Sequence, residues 1–226
     1  MSARRAGRLI SDIVIAFLVF YAWIGMVIRG RGVLSSSGIG SLKYFTVLSN
    51  LLEGFASVAA AVSLLRSKEL SLRLESLKWV AGTAVMVTFS VVMLFLGHIY
   101  GYPAMLRGGS LHMHLIVPLL SLAEMLFLRE KELPERTPRY AAAVVLAYGV
   151  FYFIRVLLGG KGPEGWYVND FYAFTLWGIP VGIGLFALLL IGTYFMSLGL
   201  MRLGDRLLMK GKKRGPADAR DPVRCP

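Results

Sequence analysis

The chain has 226 residues, 56% of them apolar and 17% charged, with a formal net charge of +12 and a mean hydropathy of +0.64. A soluble domain of this length has no interior large enough for that much apolar surface, and the apolar residues fall in long blocks rather than amphipathic stripes. The basic residues flank those blocks, so the charge belongs to membrane boundaries and not to a nucleic-acid-binding face.

A hydrocarbon core of ~30 Å needs ~20 apolar residues in a helix. Six blocks meet that length: Leu9 to Ile28, Tyr44 to Leu65, Trp79 to Ile99, Leu111 to Leu128, Tyr140 to Leu158 and Leu176 to Met201. The segment Met1 to Arg8 resembles the n-region of a signal peptide. No small-residue cleavage site follows the apolar run, and Arg29-Gly30-Arg31 does, which predicts an uncleaved first span. The connections are short, leaving one six-span domain over 1–209. The remainder, 210–226, is a basic tail carrying Pro216 and Pro222, with the composition of a disordered segment. Its Cys225 is the single cysteine, so no internal disulfide forms. The expected fold is an all-α six-transmembrane-helix bundle.

Lys and Arg set the expected orientation. The N-terminus, the second and fourth loops and the tail carry 19 of them, counting Arg8 and Lys78 among the flanks; the first, third and fifth loops carry five. The bias places both termini in the cytoplasm. Gly178, Gly182 and Gly184 at the start of the last span suit close helix contact.

Polar side chains are costly in a membrane and therefore informative. All three histidines lie at the outer side: His98 ends the third span, and His112 and His114 open the fourth. Thr46, Ser49, Asn50 and Glu53 follow an i, i+3, i+4, i+7 spacing along the second span, which is one helix face. His114, Pro118 and Ser121 form a second stripe. Pro118 has no N–H for the carbonyl of residue 114, which predicts a loosened helix there. Tyr148, Tyr152 and Arg155 form a third stripe on the fifth span, and Asp170 lies in the last loop.

Several chemistries fit these residues. Thr46 is a nucleophile if a base takes its proton, and a neutral histidine such as His114 is suited to that; a membrane threonine also bonds back to its own helix. His98, His112 and His114 are a conceivable zinc set, although two residues apart on a helix diverge by about 200°. Asn50 serves an oxyanion or a helix contact. Glu53, if buried, is protonated or paired, with Arg155 as a candidate partner. Asp170 orients a histidine or caps a turn. Trp166, Tyr167, Phe171 and Tyr172 suit an interfacial belt. A zinc-dependent lipid hydrolase, and a small transporter or lipid- or ion-binding protein using Glu53 and Arg155, are the alternatives to a metal-free hydrolase.

Leu42-Lys43-Tyr44-Phe45-Thr46-Val47-Leu48-Ser49-Asn50 resembles the Thr-bearing segment of the androgen-induced transmembrane protein family and its prokaryotic relatives. Leu111-His112-Met113-His114-Leu115-Ile116-Val117-Pro118, with Glu124-Met125, resembles that family's His-bearing segment, and Trp166 to Phe171 leading to Gly178 resembles its last loop. The resemblance implies a membrane threonine hydrolase of fatty-acid esters, with Thr46 as nucleophile and His114 as general base. It implies a lipid or fatty-acid ester substrate among membrane lipids, no cofactor and a prokaryotic plasma membrane. The charge bias and the three polar stripes in the outer half of the bilayer place the opening of the site on the extracytoplasmic side. Ser49 stands where animal members have an acid, and Tyr167-Val168-Asn169-Asp170-Phe171 lacks the family's proline. These departures touch the substrate, not the Thr–His pair.

Overall fold

The computed structural model describes residues 3–29, 38–67, 69–163, 170, 175 and 178–213. Among them, six helices are long and apolar enough to cross a membrane, and the chain is an integral membrane protein. We number them α1 (Ala3–Arg29), α2 (Phe45–Ser67), α3 (Leu72–Tyr100), α4 (Gly109–Leu128), α5 (Thr137–Gly159) and α6 (Ile179–Lys213). No β-strand forms among the described residues.

The helices extend past the apolar blocks at the basic end. α3 starts at Leu72, seven residues before the expected Trp79, because Ser71 caps it by accepting the Leu74 N–H at 3.2 Å. Lys78, counted above as a loop residue, is therefore inside the helix and buried, and so is Arg8 in α1. α6 continues through Lys213, so 210–213 are helical rather than part of a disordered tail. Residues 214–226 lie outside the described residues, as do Trp166, Tyr167, Phe171, Tyr172 and Leu176.

α3 is the centre of the bundle. It packs against α2, α4, α5 and α6, while α1 packs against α2 and α4. Every residue from Trp79 to Thr88 is buried, as expected for a helix surrounded on all sides. α1 and α6 instead expose Ile10, Phe17, Ile28, Leu188 and Phe195, side chains that a soluble surface rarely groups and lipid accommodates. Close helix approach is made at Gly54 against Val19, Gly82 against Met125 and Gly149 against the Phe186 ring, where a β-carbon would lie within 3 Å of the neighbour. Gly184 has open space around it, and Gly178 serves the turn before α6 with φ at +94°. The expected contact role of these two is thus corrected.

α4 departs from α-helical register in two places. Residues His112–Ile116 and Glu124–Leu128 form π-helical turns, features that concentrate where side chains must be re-aimed. Pro118, which has no N–H to give, stands just beyond the first. The Val117 N–H reaches back five residues to the His112 carbonyl. In that register, the carbonyl that Pro118 cannot serve is Met113's, one residue earlier than the α-helical expectation of His114.

Candidate functional site

Asn50 meets that open carbonyl. Its Nδ2 donates to the Met113 carbonyl at 3.1 Å and to the Thr46 carbonyl, one turn back on its own helix, at 2.8 Å. Asn50 is wholly buried. Both amide hydrogens are thereby used, which assigns Asn50 to a helix bridge and leaves it none for an oxyanion. The bridge holds the Thr46 turn of α2 beside the Met113–His114 turn of α4.

His114 is buried, and its Nδ1 lies 2.7 Å from the Met105 carbonyl. A carbonyl only accepts, so Nδ1 carries the proton in the neutral ring and Nε2 keeps its lone pair, the tautomer a general base needs. Thr46 is half-buried. Ser49 Oγ lies 3.1 Å from the Thr46 carbonyl and 3.0 Å from Thr88 Oγ1. Thr46 and Thr88 line a small apolar cavity of about 40 Å³ with Phe45, Tyr148 and Phe186. His114 is not in that lining, and no hydrogen bond joins Thr46 to His114. Beside this cavity, sharing Phe45 and Tyr148 as its wall, lies a larger apolar groove of about 460 Å³ between α2 and α5. The Phe45 and Tyr148 ring centroids are 5.0 Å apart, and the Tyr148 hydroxyl donates to the Lys43 carbonyl at 2.7 Å.

The other sequence candidates scatter. His98 is exposed and shares a hydrogen bond of 3.2 Å with the Tyr102 hydroxyl. His112 Nδ1 faces the Gly108 carbonyl at 3.2 Å, and its ring meets Tyr21 edge-on. With His114 on Met105, the three imidazoles point to three separate partners. Among the described residues, no group of His, Cys, Asp and Glu is arranged to hold a metal ion. The zinc set is thus not assembled, since α4 starts before His112 and carries the two histidines apart. Arg155 stands over the Phe151 ring at 5.7 Å. Asp170 accepts from the Thr175 N–H at 2.8 Å and from the Thr175 and Tyr152 hydroxyls, which fits the turn-capping alternative and ties the last loop to α5.

Glu53 is paired, but with Lys78 and Ser121 rather than Arg155. Its Oε1 accepts from Lys78 Nζ at 2.7 Å and from the Ser121 hydroxyl at 2.9 Å. These contacts open a second polar centre that the sequence reading missed. Lys78 Nζ also lies 2.6 Å from Ser57 Oγ and 3.0 Å from both Asp12 and Glu124. Arg8 reaches Asp12 at 3.3 Å, Glu75 at 3.3 Å and Glu124 at 3.1 Å. Six ionisable side chains from α1, α2, α3 and α4 thus form one network, each less than 5% exposed. Signals for it existed in the sequence. Arg8 and Asp12 are spaced i, i+4, Glu75 and Lys78 i, i+3, and Asp12, Glu53 and Glu124 interrupt apolar blocks. Arg8 and Lys78 were absorbed into the flanking-charge count, which hid the pairing. Comparison with protein-family models, with curated proteins and with solved structures finds no match to this chain.

Proposed function

We propose that the protein is a membrane-embedded hydrolase of lipid-like acyl esters, with Thr46 as nucleophile and His114 as base. The observation that carries this reading is the Asn50 bridge, which fastens the Thr46 turn to the His114 turn through two backbone carbonyls. The His114 tautomer supports it, as does the likeness of both segments to the family of membrane threonine hydrolases named above. The α2–α5 groove is of a volume that suits an acyl chain, and its shared wall with the Thr46 cavity gives the ester a lateral route from the lipid. The charge bias supports an extracytoplasmic opening.

In this scheme, Phe45 and Tyr148 swing aside as the acyl chain enters, and Thr46 and His114 meet across the bound ester. Catalytic hydrogen bonds commonly tighten only in the substrate complex. His114 Nε2 takes the Thr46 proton as Oγ1 attacks the ester carbonyl carbon. The tetrahedral adduct collapses, the C–O bond to the alcohol breaks, and His114 returns the proton to the departing oxygen. Water then attacks the acyl-threonine, with His114 taking its proton and giving it back to Thr46.

The test uses the full chain in nanodiscs with long-chain acyl esters. Thr46→Ala is expected to abolish turnover, and His114→Ala to reduce it by about 10²–10⁴-fold. Among the described residues Thr46 Oγ1 makes no hydrogen bond, so Thr46→Val is expected to change stability by only about 0.5 kcal/mol. A fluorophosphonate probe is expected to label Thr46. Undiminished hydrolysis by Thr46→Ala would remove the nucleophile assignment.

A further inference from the structure

We propose that the buried ion network at the basic end is a proton-binding site, with the proton carried by Glu53 and shared with Asn50. Charge and geometry argue for it separately.

The network holds Asp12, Glu53, Glu75 and Glu124 against Arg8 and Lys78, a surplus of two carboxylates. The ion pairs that border the network do not offset this. Arg5 pairs with Glu69 and Glu130, Lys131 approaches Glu69, and Arg129 pairs with Asp205; these five groups and Asp205 sum to zero. An uncompensated carboxylate buried among apolar helices takes up a proton in preference to keeping its charge.

The donors in place also miss two acceptors. Lys78 Nζ has three N–H bonds and four oxygen neighbours, from Glu53, Ser57, Asp12 and Glu124. Asp12 Oδ1, at 3.0 Å, lacks hydrogen-bond alignment with it. Among the described residues, Glu53 Oε2 has no hydrogen-bond partner, and neither does Asn50 Oδ1, one turn away on the same face of α2. Both residues are wholly buried. The amide cannot be turned over, because Oδ1 would then face two carbonyls. Two buried acceptors on one helix face that no donor reaches call for a hydrogen, and a proton on Glu53 Oε2 supplies it to Asn50 Oδ1. Supply comes from the basic end, where Arg5, Glu130 and Lys131 rim a pocket of about 10 Å³, the size of one water, whose floor includes Arg8 and Glu75.

The inference does not rest on the hydrolase reading, and its test needs no turnover. Infrared spectra of the full chain in nanodiscs at neutral pH are recorded in H2O and D2O, with and without sodium. A carboxylic-acid C=O stretch that shifts in D2O is expected under both salt conditions. Glu53→Gln should delete it while unfolding like wild type, because the new amide also donates to Asn50 Oδ1. Asn50→Leu should move the band to higher frequency by removing its acceptor, which keeps the assignment testable if Glu53→Gln does not fold. Absence of the band in wild type, or its indifference to both substitutions, would overturn the proposal. A band that emerges only when sodium is withdrawn would overturn it too, in favour of a bound cation.

Discussion

The two ends of the bundle handle burial of polar groups by opposite means. At the histidine end, neutral N–H donors are satisfied one by one through backbone carbonyls: His114 by Met105, and the two Asn50 amide hydrogens by Thr46 and Met113. At the basic end, full charges are buried and satisfied only collectively, through Arg8 and Lys78. The first arrangement fixes individual atoms, as a reactive site needs. The second locks four helices together and makes each member depend on the others, because an ion left alone in a low-dielectric interior is far more costly than a lone amide.

The sharpest way to break this contrast is Lys78→Met. It leaves Asp12, Glu53 and Glu124 without their shared ammonium group, and a loss of about 3–5 kcal/mol is expected. Thermal unfolding in detergent, followed by far-UV circular dichroism, reads it. Adding Asp12→Asn to Lys78→Met should recover much of the loss, since one fewer unpaired charge remains. A single variant within about 1 kcal/mol of wild type would mean that the network is solvated rather than sealed.

The counterpart at the histidine end is Asn50→Leu. It strands the Met113 carbonyl, at an expected cost of about 1–3 kcal/mol. On the proposed function, turnover should fall further than stability explains, because the Thr46 and His114 turns are no longer tied. Turnover at wild-type level in a folded Asn50→Leu protein would separate the bridge from catalysis.

The difference between the ends also accounts for what could be read beforehand. Six apolar blocks announce six helices because hydrocarbon thickness fixes their length. The α2 stripe from Thr46 to Glu53 was legible because helical period fixes which residues share a face. The partners were not. Asn50 finds Met113 through a π-helical turn whose register depends on packing, and nothing in His112 to Pro118 distinguishes a five-residue reach from a four-residue one. Lys78 was misread for another reason. A lysine one residue before the apolar block that opens at Trp79 reads as a flank by hydropathy, and only the Ser71 cap, with carboxylates waiting on α1, α2 and α4, draws it inside.

The smallest expected effect tests the origin of the bridge itself. If Asn50 is held in place by the donor that Pro118 lacks, returning that donor should make Asn50 dispensable. Pro118→Ala restores an N–H that can serve the Met113 carbonyl in the π-helical register or the His114 carbonyl in an α-helical one. In that background, Asn50→Leu should cost less than in wild type. A double-mutant cycle is therefore expected to give a coupling of about 1 kcal/mol between residues on different helices. Packing alone would not produce this sign, because the proline ring and the amide side chain would then contribute independently. Additive effects would mean that the π-helical turn owes its register to His114 on Met105 or to the burial of Met113, with Asn50 exploiting a carbonyl freed for other reasons.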